Sequence, residues 1–441
     1  MAEFMLRLLS LLASKGFRRV AGRNGRATRW MAWAAAMGMV LMLEGCSFVA
    51  KQSSLDPKGP VARDQLHLFM VTFWVSVFIF IPVGGTMVWA VYRFREKPED
   101  KGKPLPQQAH GNPLVEISLI GASIALLVIV AIPTMKSIWF SFDLPTDEAY
   151  YKPSLLGQWY PNPPEKSADE PIEITVYGYQ WWWAFDYKQF GVVTANEFWI
   201  PAGKVVKVNL RSRDVIHSFW LPKLAGKLDL MPGRTNWIWL MADADQLGLG
   251  GQTGQVFYGQ CAQFCGEAHA YMLFRAHAVS DAEFEKWIAL SQAKVLPPAD
   301  GTWDAFLARM RATPDAQLKP VELGAKLFYG RATCMVCHTV NGSPAQGILG
   351  PDLSRIASRT AVASGILDNL GDNGQIDPEL QLKNLEKWIG HSQDIKPGNK
   401  MYYGLNGTPG LKVVEANNTA AGATLTETDF HDIALYLQTL K

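Results

Sequence analysis

Apolar positions along the chain fall into three textures. Two long unbroken stretches, roughly Leu66 to Tyr92 and Leu114 to Phe140, each exceed the ~20 residues that a membrane-spanning helix needs. They predict helices over about 66–92 and 114–140. From about Ile172 the pattern changes to short runs, "IEITVYGYQWWWAFDY", "FWIPAGKVVKVNLRS" and "TNWIWLMA", broken by Gly, Pro and Asp. Strands at that spacing predict a β-sandwich or barrel. From "VELGAKLFYG" to the terminal "ETDFHDIALYLQTLK" the pattern is helical, which predicts an all-α domain. The expected partition is a leader over 1–45, a transmembrane hairpin over 46–145, a β-domain over 170–290, a linker over 291–319 and an α-domain over 320–441.

The leader and the loop between the two long stretches set the topology. Arg18, Arg19, Arg23, Arg26 and Arg29 precede the apolar run "WMAWAAAMGMVLML" and then "EGC", the order of a signal peptide. Gly45 before Cys46, with Leu43 three residues before it, resembles a bacterial lipoprotein processing site with Cys46 as the lipidated residue. An ordinary first membrane anchor with an incidental cysteine is the alternative. The connection "RFREKPEDKGK" carries Arg93, Arg95, Lys97, Lys101 and Lys103, so it faces the cytoplasm. The chain beyond Phe140 then lies outside a bacterial plasma membrane.

Composition narrows the function. The 441 residues are 48% hydrophobic and carry a formal net charge of +2, which gives no sign of a nucleic-acid partner. The 5 cysteines are one singleton, Cys46, and two close pairs, Cys261 with Cys265 and Cys334 with Cys337. An odd number so divided is not a disulfide framework.

The first pair lies in "CAQFCGEAHAYM", where His269 and Met272 come within the same twelve residues. Thiolate and thioether donors favour soft or borderline metals, and imidazole suits copper, iron and zinc. Upstream, in "RDVIHSFW", His217 stands at a predicted strand end and can supply a second imidazole. Two bridging thiolates flanked by two histidines suit two copper ions, whereas zinc would normally take four ligands and leave Met272 idle. The second pair lies in "GRATCMVCHTV", a C-x-x-C-H pattern of covalent haem attachment with His338 as iron ligand.

With its two-helix hairpin and β-domain, roughly residues 60 to 290, the chain resembles cytochrome c oxidase subunit II. The resemblance implies a cupredoxin fold and a binuclear copper centre, CuA. Its ligands would be His217, Cys261, Cys265, His269 and Met272, with the backbone carbonyl of Gln263 as a sixth. Many members have glutamate where Gln263 stands, so no magnesium ligand is expected. In "YGYQWWWAFDY" the resemblance places Trp181 on the surface near the copper, as the point where electrons arrive from cytochrome c. Glu116 matches the mouth of a proton channel into subunit I, and Asp214 and Arg234 match positions between the copper and a subunit I haem. In the α-domain "GPDL" (350–353) and "KPGNKM" (396–401) resemble the cytochrome c segments that support the proximal histidine and carry the axial methionine, here Met401. His391 and His431 read as surface or core residues.

The implied function is subunit II of a respiratory cytochrome c oxidase with a fused cytochrome c domain. Electrons pass from haem c to CuA and on to subunit I, where oxygen is reduced and protons are pumped. Expected partners are subunit I, a subunit III, membrane lipid and a donor, either cytochrome c or a quinol-oxidising complex. A nitric oxide reductase subunit and a stand-alone membrane electron carrier are the alternatives. A quinol-oxidising relative would not need the copper ligands.

Overall fold

The computed structural model describes residues 49–100, 102, 104, 111–144, 170–244, 254–298, 301–403 and 425–441. The chain divides into two units, Met1–Asp56 and Pro57–Lys441. The expected leader and Cys46 lie outside the described residues, and every helix and strand named here belongs to the second unit.

Helices α1 (Pro60–Arg93) and α2 (Pro113–Phe142) both begin on proline, whose missing N–H is one of the unpaired donors of a first turn anyway. The Asn112 side chain caps α2 by accepting from the Leu114 N–H. Their 34 and 30 residues span about 51 and about 45 Å at 1.5 Å per residue. Both run past the expected 66–92 and 114–140, because the outer turns continue through polar residues such as Arg63 and Asp64 that apolarity alone leaves out. Phe80, Val91 and Ile117 stay exposed along the helices, as a lipid-facing surface requires.

The hairpin is joined firmly to the β-domain. The Trp239 indole N–H donates to the Phe140 carbonyl at 3.1 Å, and the two rings meet edge to face. Just before α1, Lys58 N–H bonds the Lys223 carbonyl at 2.7 Å, and the Lys58 carbonyl accepts from Asp243 N–H at 2.9 Å. Arg63 pairs with Asp243 beside them.

Among the described residues, ten strands form two five-stranded sheets. The first contains β1 (Ile172–Tyr179), β2 (Trp182–Tyr187), β3 (Val192–Ala195), β5 (Val206–Ser212) and β8 (Asn236–Leu240), in the order β3-β2-β1-β5-β8. The second contains β4 (Glu197–Pro201), β6 (His217–Trp220), β7 (Lys227–Leu230), β9 (Gly254–Cys261) and β10 (Leu273–Val279), in the order β4-β10-β9-β6-β7. Pairs β1–β5 and β4–β10 are parallel and the rest antiparallel. Alternation puts Val206, Val208 and Leu210 inward along β5. Trp183 and Phe185 of one sheet pack on Phe198, Phe219 and Phe274 of the other, with Phe185 stacked on Phe198 at 4.4 Å. This is the cupredoxin-like sandwich.

After it come α3 (Asp281–Gln292), whose Ser280 cap accepts from Glu283 N–H, and α4 (Trp303–Ala312) within the expected linker. The α-domain is built from α5 (Pro320–Tyr329), the single turn α6 (Cys334–Cys337), α7 (Pro378–Ile395), the short α8 (Lys400–Tyr403) and α9 (Glu427–Leu437). Its core includes Phe306, Phe328, Leu385, Phe430 and Ile433. Among the described residues of the domain, two-residue strands β11 (Ala361–Val362) and β12 (Leu367–Asp368) form a small hairpin between the helices.

That hairpin sits against the β-domain. Glu197, 1% exposed at the start of β4, accepts from Thr360 N–H (3.1 Å), Thr360 Oγ1 (2.8 Å) and Ala361 N–H (2.8 Å). It also meets His277 Nε2 at 3.1 Å. Arg275 beside it donates to the Thr360 carbonyl at 3.1 Å and pairs with Asp368. Burial opposes the Glu197 charge, but His277, Arg275 and the Thr360 N–H outweigh it and hold the carboxyl below its usual range.

Candidate functional site

The copper donors expected from the sequence converge at one end of the sandwich. Cys261 closes β9, and a tight loop returns the chain through Cys265 and a 3-10 turn at His269–Tyr271 to Met272. Strand β6, hydrogen-bonded to β9, delivers His217 from the other side. The sulfurs of Cys261 and Cys265 lie 3.8 Å apart. His217 Nδ1 is 4.0 Å from Cys261 Sγ, and His269 Nδ1 is 3.5 Å from Cys265 Sγ. Met272 Sδ stands 3.9 Å from Cys265 Sγ, and the Gln263 carbonyl oxygen lies 3.2 Å from Cys261 Sγ. Each sulfur therefore has its own imidazole, with one further donor on each side.

The electrostatics fit a metal. The Cys261 thiol is held down to about 4, first by the hydrogen bond with Cys265 and then, against burial, by His217. The same bond, together with burial, pushes the Cys265 thiol up. Two buried sulfurs this close together, each beside an imidazole, are a donor set suited to a soft or borderline cation.

Outer contacts fix the donors. His217 Nε2 bonds Asp214 Oδ1 at 2.8 Å, leaving Nδ1 to face the sulfurs. Gly178 lies behind the same ring, where a Cβ would come within 2.7 Å of it. The Cys265 carbonyl accepts from the Gln180 side chain (2.9 Å) and from the Trp181 indole (3.0 Å), and the Met272 carbonyl accepts from the Trp183 indole (3.3 Å). Replacing Asp214 by alanine is expected to weaken copper binding about 10–100-fold, the usual effect of losing such an outer partner. A chelator competition titration on the purified protein measures it, and an unchanged affinity would discard the orienting role.

Trp181 is not at the surface. It is 8% exposed, because the stretch Lys396–Gly398 of the α-domain lies across it. Tyr179 and Trp182 stack on each other at 4.3 Å. Glu116 is exposed in the first turn of α2 beside Gly111, and Arg234 is exposed in the turn between β7 and β8.

The second site is built around α6. Cys334 and Cys337 are free, and burial pushes the Cys334 thiol up to about 12 and raises that of Cys337, so both are neutral thiols. His338 Nδ1–H donates to the Pro351 carbonyl at 2.7 Å, which leaves Nε2 as the open nitrogen. Burial lowers the pKa of this imidazole and keeps it neutral. Gly350 passes so close to it that a Cβ would lie 2.6 Å from the ring. Arg359, buried nearby, has an Nε with no hydrogen-bond partner among the described residues. A haem carboxylate would satisfy it, so these residues fit a haem. Met401 is half-buried in α8.

Sequence reasoning missed Glu197, Arg275 and Lys396, which hold the two domains together. The one local hint was a charged residue opening the apolar run of "ANEFWIP".

Comparison with known proteins matches both domains. The family described as cytochrome c oxidase subunit II, periplasmic domain, matches residues 192–279, and cytochrome c matches residues 321–441. Cytochrome c oxidase subunit 2 of Alkalihalophilus pseudofirmus is 31% identical over 363 residues, 82% of this chain and 88% of the relative. Quinol oxidase subunit 2 of Bacillus cereus is 29% identical over 252 residues, 57% of this chain and 76% of the relative. Among solved structures, the periplasmic domain of subunit II of cytochrome oxidase from Bradyrhizobium japonicum matches with TM-score 0.25 and 30% identity, covering 28% of this chain and 96% of that one.

Proposed function

Since the chain belongs to the cytochrome c oxidase subunit 2 family, we propose that it is the electron-accepting subunit of a respiratory cytochrome c oxidase. In this reading electrons from an external donor pass through a covalent haem c to a binuclear CuA, and then to the haem–copper centre of subunit I, which reduces oxygen to water and pumps protons. The observation that carries it is the convergence of two sulfurs, each with its own imidazole, within 4.0 Å.

Bound copper and haem supply reversible one-electron chemistry at nearly fixed geometry. The residues hold and tune them. His217, Cys261, Cys265, His269, Met272 and the Gln263 carbonyl are the proposed copper donors. Cys334 and Cys337 would carry the haem, with His338 and Met401 as the proposed iron ligands; a His/Met pair would raise its potential. Asp214 holds the His217 ring, and the indoles of Trp181 and Trp183 restrain the two ends of the copper loop. Trp181 is the proposed conduit, and Glu116 the proposed mouth of a proton path. Cys46 is the proposed lipid anchor, with the redox domains on the outer face of the plasma membrane. The proposed partition keeps the boundaries expected from the sequence: hairpin 46–145, CuA domain 170–290, linker 291–319 and cytochrome domain 320–441.

A quinol-fed subunit would leave both the soft-metal cluster and the C-x-x-C-H segment without a use. The test is to purify the membrane complex through this chain and measure copper, haem types and oxygen uptake with reduced cytochrome c. The expected result is two coppers and one haem c per chain, a second haem type in a co-purifying subunit, and cyanide-sensitive uptake. A chain that comes away alone would be a carrier, and a partner that consumes nitric oxide would make it a reductase subunit; either result overturns the proposal.

A further inference from the structure

The stretch from Lys396 to Met401 is fastened to the β-domain at three points. Lys396 Nζ donates to the Trp181 carbonyl and, at 2.8 Å, to Ser364 Oγ, which itself donates to the Trp181 carbonyl at 3.2 Å. Gly398, at φ +77°, lies on the rim of the Trp181 ring, where a Cβ would be 3.1 Å from it and 2.5 Å from the Glu267 carboxylate. The Lys400 ammonium is 3.7 Å from Asp214, the carboxylate that bonds His217. On its other side Trp181 donates its indole N–H to the Cys265 carbonyl.

Lys396 is 3% exposed. Burial pulls its pKa down to about 7, only partly offset by Cys265. Packing alone would be served as well by a methionine, which fills similar space without a buried amine. The amine instead joins three groups: its own loop, the β11–β12 hairpin through Ser364, and the backbone of Trp181.

We propose that Lys396 is a positioning residue for transfer between the two redox sites, holding the loop that ends in Met401 against Trp181 so that Trp181 links this loop to Cys265. This rests on the functional reading above. The transfer is of one electron, lost by the haem site and gained by the copper site, with no bond made or broken and no proton moved.

The experiment compares wild type, Lys396→Met and Ser364→Ala in the purified membrane complex. Hydrogen–deuterium exchange over residues 393–403 is expected to rise about 10–100-fold in Lys396→Met, the effect of losing a bond from a charged donor, and less in Ser364→Ala. Rapid reduction of the haem site, followed optically, is expected to show transfer to copper slowed about tenfold or more, as small misplacements of a reacting pair do. Both midpoint potentials and both absorption spectra should stay at wild-type values, which a general loosening of either site would not allow. Wild-type exchange and a wild-type rate in Lys396→Met would overturn the proposal. If Lys396→Met does not assemble, Ser364→Ala decides: unchanged exchange and rate overturn it. No transfer in the wild type, with exchange still dependent on Lys396, would sink the functional reading and leave Lys396 holding the loop against Trp181.

Discussion

Replacing Cys265 by serine is expected to empty the proposed copper site while leaving the haem site intact. Cys265 Sγ is the atom common to three of the contacts in the cluster: Cys261 Sγ at 3.8 Å, His269 Nδ1 at 3.5 Å and Met272 Sδ at 3.9 Å. A serine hydroxyl is hard, ionises far less readily and does not bridge soft ions. Losing it should cost more than the about 10–100-fold expected for loss of an outer partner. The copper-to-haem ratio should fall towards zero, and oxygen uptake driven by cytochrome c should fall with it. Haem content should not change, because Cys334, in the C-x-x-C-H segment, packs against a separate core. Elemental analysis with an optical haem assay reads both. Copper retained at the wild-type ratio would remove Cys265 from the donor set.

The second large effect is expected from Glu197→Ala. The substitution leaves His277 without its carboxylate, Arg275 with Asp368 as its remaining acid partner, and two backbone N–H groups of the β11–β12 hairpin without an acceptor. Breaking a buried ionic network from one side costs about 3–5 kcal/mol. That is enough to release the cytochrome domain from the sandwich for part of the time. Exchange at residues 358–362 should rise steeply while each domain keeps its own core. Glu197→Gln keeps one acceptor oxygen and should cost less, about 1–3 kcal/mol. The pH dependence has a definite sign. The Glu197 carboxyl is depressed in the folded chain, so its contribution is complete above the ordinary glutamate range near ~4.3 and fades as the pH falls through the lower native value. The wild-type seam should therefore loosen in acid, and the glutamine variant should show no such step. A wild-type seam that loosens between neutral pH and pH ~5 would contradict this.

Local features were the ones legible in the sequence. Four of the proposed copper side-chain donors lie within twelve residues, and the loop that joins β9 to β10 needs no distant contact to bring them together. His217 was reachable because it opens a strand hydrogen-bonded to β9. Strands with long apolar runs were visible, although "IEITVYGYQWWWAFDY" is two strands paired across a turn at Gln180–Trp181. The short strand β7, half polar and four residues long, was not. Nor was the seam. Glu197 meets Thr360 across 163 residues and Lys396 meets Trp181 across 215, and no periodicity carries information over such separations. For the same reason Trp181 was expected at the surface, where a separate cytochrome would find it, when its place is under the chain's own second domain.

The seam between Glu197 and Thr360 also changes the kinetics expected of electron supply. Two domains held by buried bonds behave as a pair at very high effective concentration, so the step between them should depend on neither donor concentration nor diffusion. Its bonds are shielded from solvent, so added salt should leave it nearly unchanged. The encounter of an external carrier with the cytochrome domain is exposed to both. A rate law that is salt-sensitive for the bimolecular phase and flat for the unimolecular one would be the solution signature of a donor that travels with its acceptor.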